Sequence, residues 1–209
     1  MLEGLPRNGP TDPIEYYRRP YVGWLYRERI NRGLSLLPPQ RFDRALEVGY
    51  GAGAVQLALG TGVEDLHGID LDADAAEVTR LLEHRQCRAT LRAGNVYDLP
   101  YGDRYFDLVV SFSVFEHLSD YGRALSQVMR VLKTGGLFLL GMPAVNKLME
   151  AGFYAIGFRG INHHHVTTPN QVATRARELG LRECGQAPLD FPLAKPLGAR
   201  LYYNWLFEL

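Results

Sequence analysis

The spacing of apolar residues changes repeatedly along this chain, and the changes divide it into elements. Between residues 21 and 37 the apolar positions Val22, Leu25, Ile30, Leu34 and Leu37 recur close to helical spacing. This predicts a helix closed by Pro38-Pro39. Asp12-Pro13, with Asp as N-cap and Pro at the first helical position, starts an earlier short helix over 14–19, interrupted at Pro20. Short apolar runs then alternate with helical stretches. Strands are predicted at 45–49, 66–70, 89–92, 106–111 and 137–141. Helices are predicted at 54–59, at 72 or 74 to 83 (capped by Asp72 or Asp74), and at 121–132, the last closed by Lys133-Thr134-Gly135-Gly136. The run Phe106-Asp107-Leu108-Val109-Val110-Ser111 suits the centre of a sheet.

This rhythm predicts an α/β fold, a Rossmann-like doubly wound sheet, mostly parallel, with right-handed crossovers. After Pro143 the pattern changes. Residues 145–160 are apolar and glycine-containing, suited to a loose helix. Thr168-Pro169 starts a helix to Leu179 that ends at Gly180, a strand follows at 181–186, and 188–196 is irregular. The aromatic stretch 201–209 reads as a strand or a helix. The expected organisation is an N-terminal helical cap over 1–43 and one domain over 44–209, with 143–167 inserted as a substrate cap. The cap is either an amphipathic layer packed on the domain or a lid.

Composition narrows the partners. The hydrophobic content of 46% supplies a real core, and the formal net charge of zero argues against nucleic acid and anionic membranes. No apolar run approaches the roughly 18 residues of a membrane span. Cys87 and Cys184 stand alone, which argues against a disulfide framework or a zinc site and favours a reducing, cytoplasmic setting. The polar start, rich in Pro and Gly, does not read as a signal peptide. The oligomeric state is not legible.

The densest chemistry lies at Leu46-Glu47-Val48-Gly49-Tyr50-Gly51-Ala52-Gly53. Gly49, Gly51 and Gly53 allow a sharp turn and a close ligand approach, and the helix after Gly53 opens with free N–H groups. A dinucleotide fingerprint would read G-x-G-x-x-G; here the third glycine comes one residue early. Glu47 points to the same side of the strand as Gly49. Its charge disfavours a pyrophosphate and suits an amine-bearing ligand. Asp70 ends the next strand and can accept hydrogen bonds from both hydroxyls of a ribose.

At these residues the chain resembles the class I S-adenosylmethionine-dependent methyltransferases. The likeness continues at Gly68-Ile69-Asp70, at Ala93-Gly94-Asn95-Val96-Tyr97-Asp98-Leu99-Pro100-Tyr101, at Phe106 to Ser111 with Phe115-Glu116-His117-Leu118, and at Val131-Leu132-Lys133-Thr134-Gly135-Gly136. The resemblance implies about seven strands with the last antiparallel, and S-adenosylmethionine as cofactor. Glu47, Gly49, Gly51, Gly53, Asp70, Leu71, Asn95, Val96 and Ser111 would form its site. The resemblance places Gly49 to Gly53 along the methionine and ribose part and Ser111 beside the sulfonium. It gives Asn95, usually Asp in the family, to the adenine amine, and the Val96 N–H to the ring.

Methyl transfer needs alignment and exclusion of water, and a base only where the nucleophile must lose a proton. Glu116 and His117 follow the fourth strand at the acceptor rim, as base candidates or as caps of the next segment. His163-His164-His165 reads as surface histidines, with His164 the base candidate among them; no metal site is expected. Base-amino methyltransferases usually carry Asn/Asp-Pro-Pro-aromatic after strand four, whereas Ser111-Phe112-Ser113-Val114 stands here. The acceptor expected is a small, largely apolar metabolite under an apolar roof. The alternatives are a nicotinamide-dependent oxidoreductase and a non-catalytic S-adenosylmethionine-binding protein.

Overall fold

The computed structural model describes residues 5, 20–144, 166–190 and 200–209. The expected helix over 14–19, the stretch 145–160, and His163, His164 and His165 lie outside these residues. Helix α1 (Pro20–Leu34) leads into β1 (Phe42–Val48), α2 (Ala54–Leu59), β2 (Val63–Asp70), α3 (Ala75–His84) and β3 (Thr90–Ala93). Then come β4 (Phe106–Phe112), a 3-10 turn (Phe115–His117), α4 (Tyr121–Val131) and β5 (Leu132–Pro143). The C-terminal part holds α5 (Pro169–Glu178), β6 (Arg182–Gln186), β7 (Leu189–Asp190) and β8 (Arg200–Glu208). The sheet order is β3-β2-β1-β4-β5-β8-β6, with β7 on β8. Strands β1 to β5 pair in parallel, and β8 runs antiparallel between β5 and β6. The expected fold class is therefore the observed one, with the two-residue β7 added.

Both faces of the sheet are covered, which explains the uninterrupted apolar strands. In β4, Leu108, Val110 and Phe112 join the core that includes Ile30 of α1, while Val109 joins the core that includes Leu125 and Val128 of α4. Helix α1 packs against β5, β7 and β8. Its Gly33 permits the close approach, since a Cβ there would come within 2.7 Å of the Phe112 ring and 2.9 Å of the Asn204 Oδ1.

Several boundaries differ from expectation for local reasons. Pro20 stands at the first described position of α1, where its missing N–H is harmless. Lys133 to Gly136 are not a helix-to-strand link: β5 starts at Leu132, immediately after α4. The β4–β5 register shifts between Phe106 and Leu108, which absorbs those residues into the strand. Of the two candidate caps for α3, Asp74 takes the role, accepting from the N–H groups of Ala76 and Glu77. The aromatic C-terminus is a strand, paired from Leu137↔Glu208 to Pro143↔Tyr202.

Candidate active site

The strand order reverses at one place. The chain moves outward from β1 through β2 to β3, then returns to place β4 on the other side of β1. In open α/β sheets the crevice outside the carboxyl ends at such a switch point is the ligand site. Here Val48 of β1 lies beside Ser111 of β4 and Ile69 of β2.

The glycine turn is built as its residues require. Gly49, Gly51 and Gly53 have φ of 80°, 47° and 83°, the left-handed region that side chains avoid. The Gly49 N–H donates to the Ile69 carbonyl at 2.7 Å and the Gly53 N–H to the Tyr50 carbonyl at 2.8 Å. A Cβ on Gly49 would fall 2.2 Å from Val114, so the turn also packs against the segment after β4. A Cβ on Gly51 would meet nothing within 4 Å among the described residues: toward them this glycine faces open space.

Asp70 closes the cradle from β2. Its Oδ2 accepts from the Gly51 N–H at 2.9 Å. Its Oδ1 accepts from Asp72 and Ala73 at 3.0 and 2.9 Å. The carboxylate is thus held by backbone alone and keeps acceptor capacity for further donors. The next residue, Leu71, is 66% exposed, an apolar side chain left without cover beside the carboxylate. Asn95 is exposed, and its Oδ1 accepts from the Tyr97 N–H at 2.9 Å. Val96 is buried.

Glu47 is buried, and its Oε2 meets no hydrogen-bonding partner among the described residues. Burial, with the nearby Asp70 charge, pushes its carboxyl well above the usual range, partly offset by Gln56. Tyr50 is also buried, with its hydroxyl unmatched among the described residues and its pKa pushed up to about 12 by burial and by Asp70, Asp74 and Glu47. A buried carboxyl and a buried phenol with unused polar atoms suit a ligand that brings its own polar groups. Tyr50 had no sequence signal, since its position inside the turn carries no pattern of its own. Ser111 is fully buried, and its hydroxyl donates to the Val48 carbonyl at 3.2 Å, tying β4 to β1.

Glu116 and His117 form the rim after β4. Glu116 is 1% exposed, and its Oε2 meets no hydrogen-bonding partner among the described residues. Burial raises its pKa to about 8, against the lowering pull of its own backbone, Arg29 and Ser113. His117 is half exposed, with Nε2 3.9 Å from the Glu116 Oε1. The Glu116 carbonyl also accepts from Val166 and Thr167, so this rim anchors the chain leading into α5. Sequence reasoning missed the neighbours. Arg29 of α1 donates through Nη1 to the Ser113 Oγ at 2.9 Å, and that hydroxyl also pairs with the Tyr202 hydroxyl at 2.9 Å. Among the described residues, no group of three His, Cys, Asp or Glu side chains could hold a metal ion.

Burial of Glu116 has a stability consequence. Its carboxyl is neutral in the folded protein up to about pH 8 but ionises near 4.5 when unfolded. The folded state therefore binds more protons in that window, and stability falls as pH rises through it. Glu116→Gln is expected to flatten this fall, by at most about 1.4 kcal/mol per pH unit. Denaturant melts of both proteins between pH 5 and 9 measure it; parallel pH curves would contradict the buried neutral carboxyl.

Comparison with known proteins agrees with this geometry. Residues 46–140 match the model of the methyltransferase domain family. Over this stretch the chain belongs to the class I S-adenosylmethionine-dependent methyltransferases. It is similar to the uncharacterized methyltransferase YcgJ of Bacillus subtilis, 33% identical over 99 residues, which cover 46% of this chain and 39% of that protein. It is also similar to a malonyl-[acyl-carrier protein] O-methyltransferase of Geobacter sulfurreducens, 33% identical over 160 residues, covering 71% of this chain and 60% of the relative. The fold matches that of the N-methyltransferase NodS from Bradyrhizobium japonicum WM9, solved with S-adenosyl-L-homocysteine, at a TM-score of 0.67. That pair is 20% identical, with 96% of this chain and 93% of NodS covered. The first curated relatives are matched over only 29%, 39% and 42% of their own lengths. The nicotinamide alternative is not favoured by these matches. Among the described residues, no helix is long and apolar enough to cross a membrane.

Proposed function

We propose that this protein transfers a methyl group from S-adenosylmethionine to a small, largely apolar acceptor by in-line displacement. The observation that carries the reading is the pairing of the open Gly51 turn with the backbone-held Asp70 carboxylate at the switch point. The methyltransferase family match over 46–140 supports it. The cofactor, when bound, supplies a sulfonium-activated methyl group. Asp70 would receive the ribose hydroxyls, and Leu71 would cover one face of the adenine. The Asn95 Oδ1 keeps a lone pair for the adenine amine, and the Val96 N–H would meet the ring. Glu47 lies near the expected place of the methionine amine and can accept from it. Ser111 ties β4 to β1 through its O–H, and its oxygen keeps lone pairs for a donor, so it stays a candidate beside the sulfonium.

The protein's own work in the displacement is alignment and exclusion of water. Where the acceptor must lose a proton, Glu116 is the base candidate at the described rim, through the minor ionised fraction that a pKa of about 8 leaves near neutrality. Its raised pKa suits proton exchange near neutrality. His117, half exposed beside it, can pass that proton to solvent, and His164 is retained as a base candidate from the sequence alone. Expressed as one domain, 44–209 would hold the cofactor, 1–43 would cap it and 143–167 would cover the acceptor.

Calorimetric titration with S-adenosylhomocysteine tests the cofactor reading. Saturable one-site binding is expected, with no heat from NADH. Binding of NADH without response to S-adenosylhomocysteine would sink the reading.

A further inference from the structure

Three buried polar side chains gather beside the glycine turn around one glycine of β2. Glu47 of β1 pairs in register with Gly68, so the two positions share a face of the sheet. A Cβ on Gly68 would fall 2.8 Å from the Tyr50 Cδ1 and 3.0 Å from the Gln56 Nε2. The missing side chain thus makes room for Tyr50, from the turn, and for Gln56, from α2. Gln56 donates through Nε2 to the His67 carbonyl at 3.1 Å, and its amide also serves the Glu47 carboxyl. All three residues are buried. The Glu47 Oε2, the Gln56 Oε1 and the Tyr50 hydroxyl meet no hydrogen-bonding partner among the described residues.

The charges that bear on this cluster are negative. Asp70, at the end of β2, acts on Glu47, and Asp70, Asp74 and Glu47 act on the Tyr50 hydroxyl. The strand on the other side of Glu47, β4, offers it Val110. An ionised Glu47 would therefore stand out of water with a like charge for a neighbour. Burial and then Asp70 hold its carboxyl well above the usual range, so it stays neutral above the pH at which an exposed carboxylate ionises.

We infer that Glu47 recognises the amino-acid end of the cofactor by giving up a proton: as an ammonium comes to rest near it, the carboxyl ionises, the proton leaves to solvent, and the Tyr50 hydroxyl donates to the carboxylate formed. The inference rests on the cofactor reading and adds a proton to it. An opposite charge within about 4–6 Å favours the charged form of a carboxyl, and an ammonium supplies the sign this cluster lacks. The balance is simple. One O–H bond of Glu47 breaks, the buffer takes the proton, and the ammonium keeps its three hydrogens. Tyr50 is a positioning residue here. Its own proton is held tightly, so the hydroxyl stays a donor, and the Gln56 amide already serves the same carboxyl. An amine-bearing ligand is thus bound more tightly as pH rises, while a ligand without the amine is not.

Calorimetry counts the proton. Wild type is titrated with S-adenosylhomocysteine in phosphate and in imidazole at one pH, and the difference in heat between the two buffers gives the protons released. Methylthioadenosine, which keeps the adenine and ribose and lacks the amino-acid end, is the control ligand. Release of at least about half a proton is expected with S-adenosylhomocysteine at about pH 6.5, and none with methylthioadenosine. S-adenosylhomocysteine affinity should climb by up to about tenfold per pH unit above about pH 5, until Glu47 ionises in the free protein as well. Glu47→Gln should abolish both the release and the climb, while its methylthioadenosine affinity stays at the wild-type value and reports that the variant folds. Tyr50→Phe should weaken S-adenosylhomocysteine by about threefold to tenfold and leave methylthioadenosine unchanged, whereas a merely structural tyrosine would move both ligands alike. Binding of S-adenosylhomocysteine by wild type without proton release, or with the same release as methylthioadenosine, overturns the inference, needs no variant, and leaves the cofactor reading standing. Release that persists in Glu47→Gln overturns it too. No S-adenosylhomocysteine binding by wild type overturns the cofactor reading and this inference with it.

Discussion

Replacing Gly51 by valine is expected to lower S-adenosylhomocysteine affinity by at least about 100-fold, equal to roughly 2.7 kcal/mol. Two effects add. Residue 51 has φ of 47°, where a β-branched side chain costs about 1–3 kcal/mol. The new side chain also projects into the open space that lies within 4 Å of the glycine, which is where the ligand must come. Because that space holds no atoms of the described residues, their packing meets no clash, and the turn strain is what reaches stability. Calorimetry gives the affinity, and a thermal melt gives the fold. Unchanged affinity in a folded variant would refute the assignment of this turn to the cofactor.

Asp70→Ala is expected to weaken cofactor binding by about 1–3 kcal/mol, the range of hydrogen bonds to a charged group. A stability loss should accompany it. The carboxylate holds three backbone N–H groups, those of Gly51, Asp72 and Ala73, and alanine leaves all three without that acceptor. Asp70→Asn should lose less, because one side-chain oxygen remains to accept. A thermal melt beside the calorimetric titration separates the two losses. Binding that survives in Asp70→Ala, in a protein that still melts cooperatively, would move the ribose elsewhere.

These two residues were legible from the chain because their chemistry is local. A strand that breaks into alternating glycines announces its turn, and a carboxylate at the end of the next apolar run falls on the same sheet edge whatever surrounds it. Glu116 was legible as a rim position but not in its state. Its protonation follows from burial, which comes from segments packed around it and not from its neighbours in sequence. Arg29 meets Ser113 across 84 positions of sequence, and Ser113 meets Tyr202 across 89. No period or motif marks such a meeting. The aromatic C-terminus was readable as an aromatic run, but the guanidinium and the hydroxyl beside Tyr202 were not, since such a run shows its rings and not what they meet. Ser111 illustrates the converse. Its position was readable, and its hydrogen bond to Val48 was not, since the bond exists only once β4 lies beside β1.

The sequence by itself determined the doubly wound α/β class, the glycine turn, Asp70 and the family they belong to, because each rests on periodicity or on neighbours a few residues apart. Only the tertiary structure decided that the aromatic C-terminus is a strand between β5 and β6, and that α1 lies across it through Gly33. With that packing came the Arg29–Ser113–Tyr202 cluster, and with the burial of the 3-10 turn came the neutral Glu116. These depend on desolvation and on contacts between distant segments, and both quantities come into being only when the chain closes on itself.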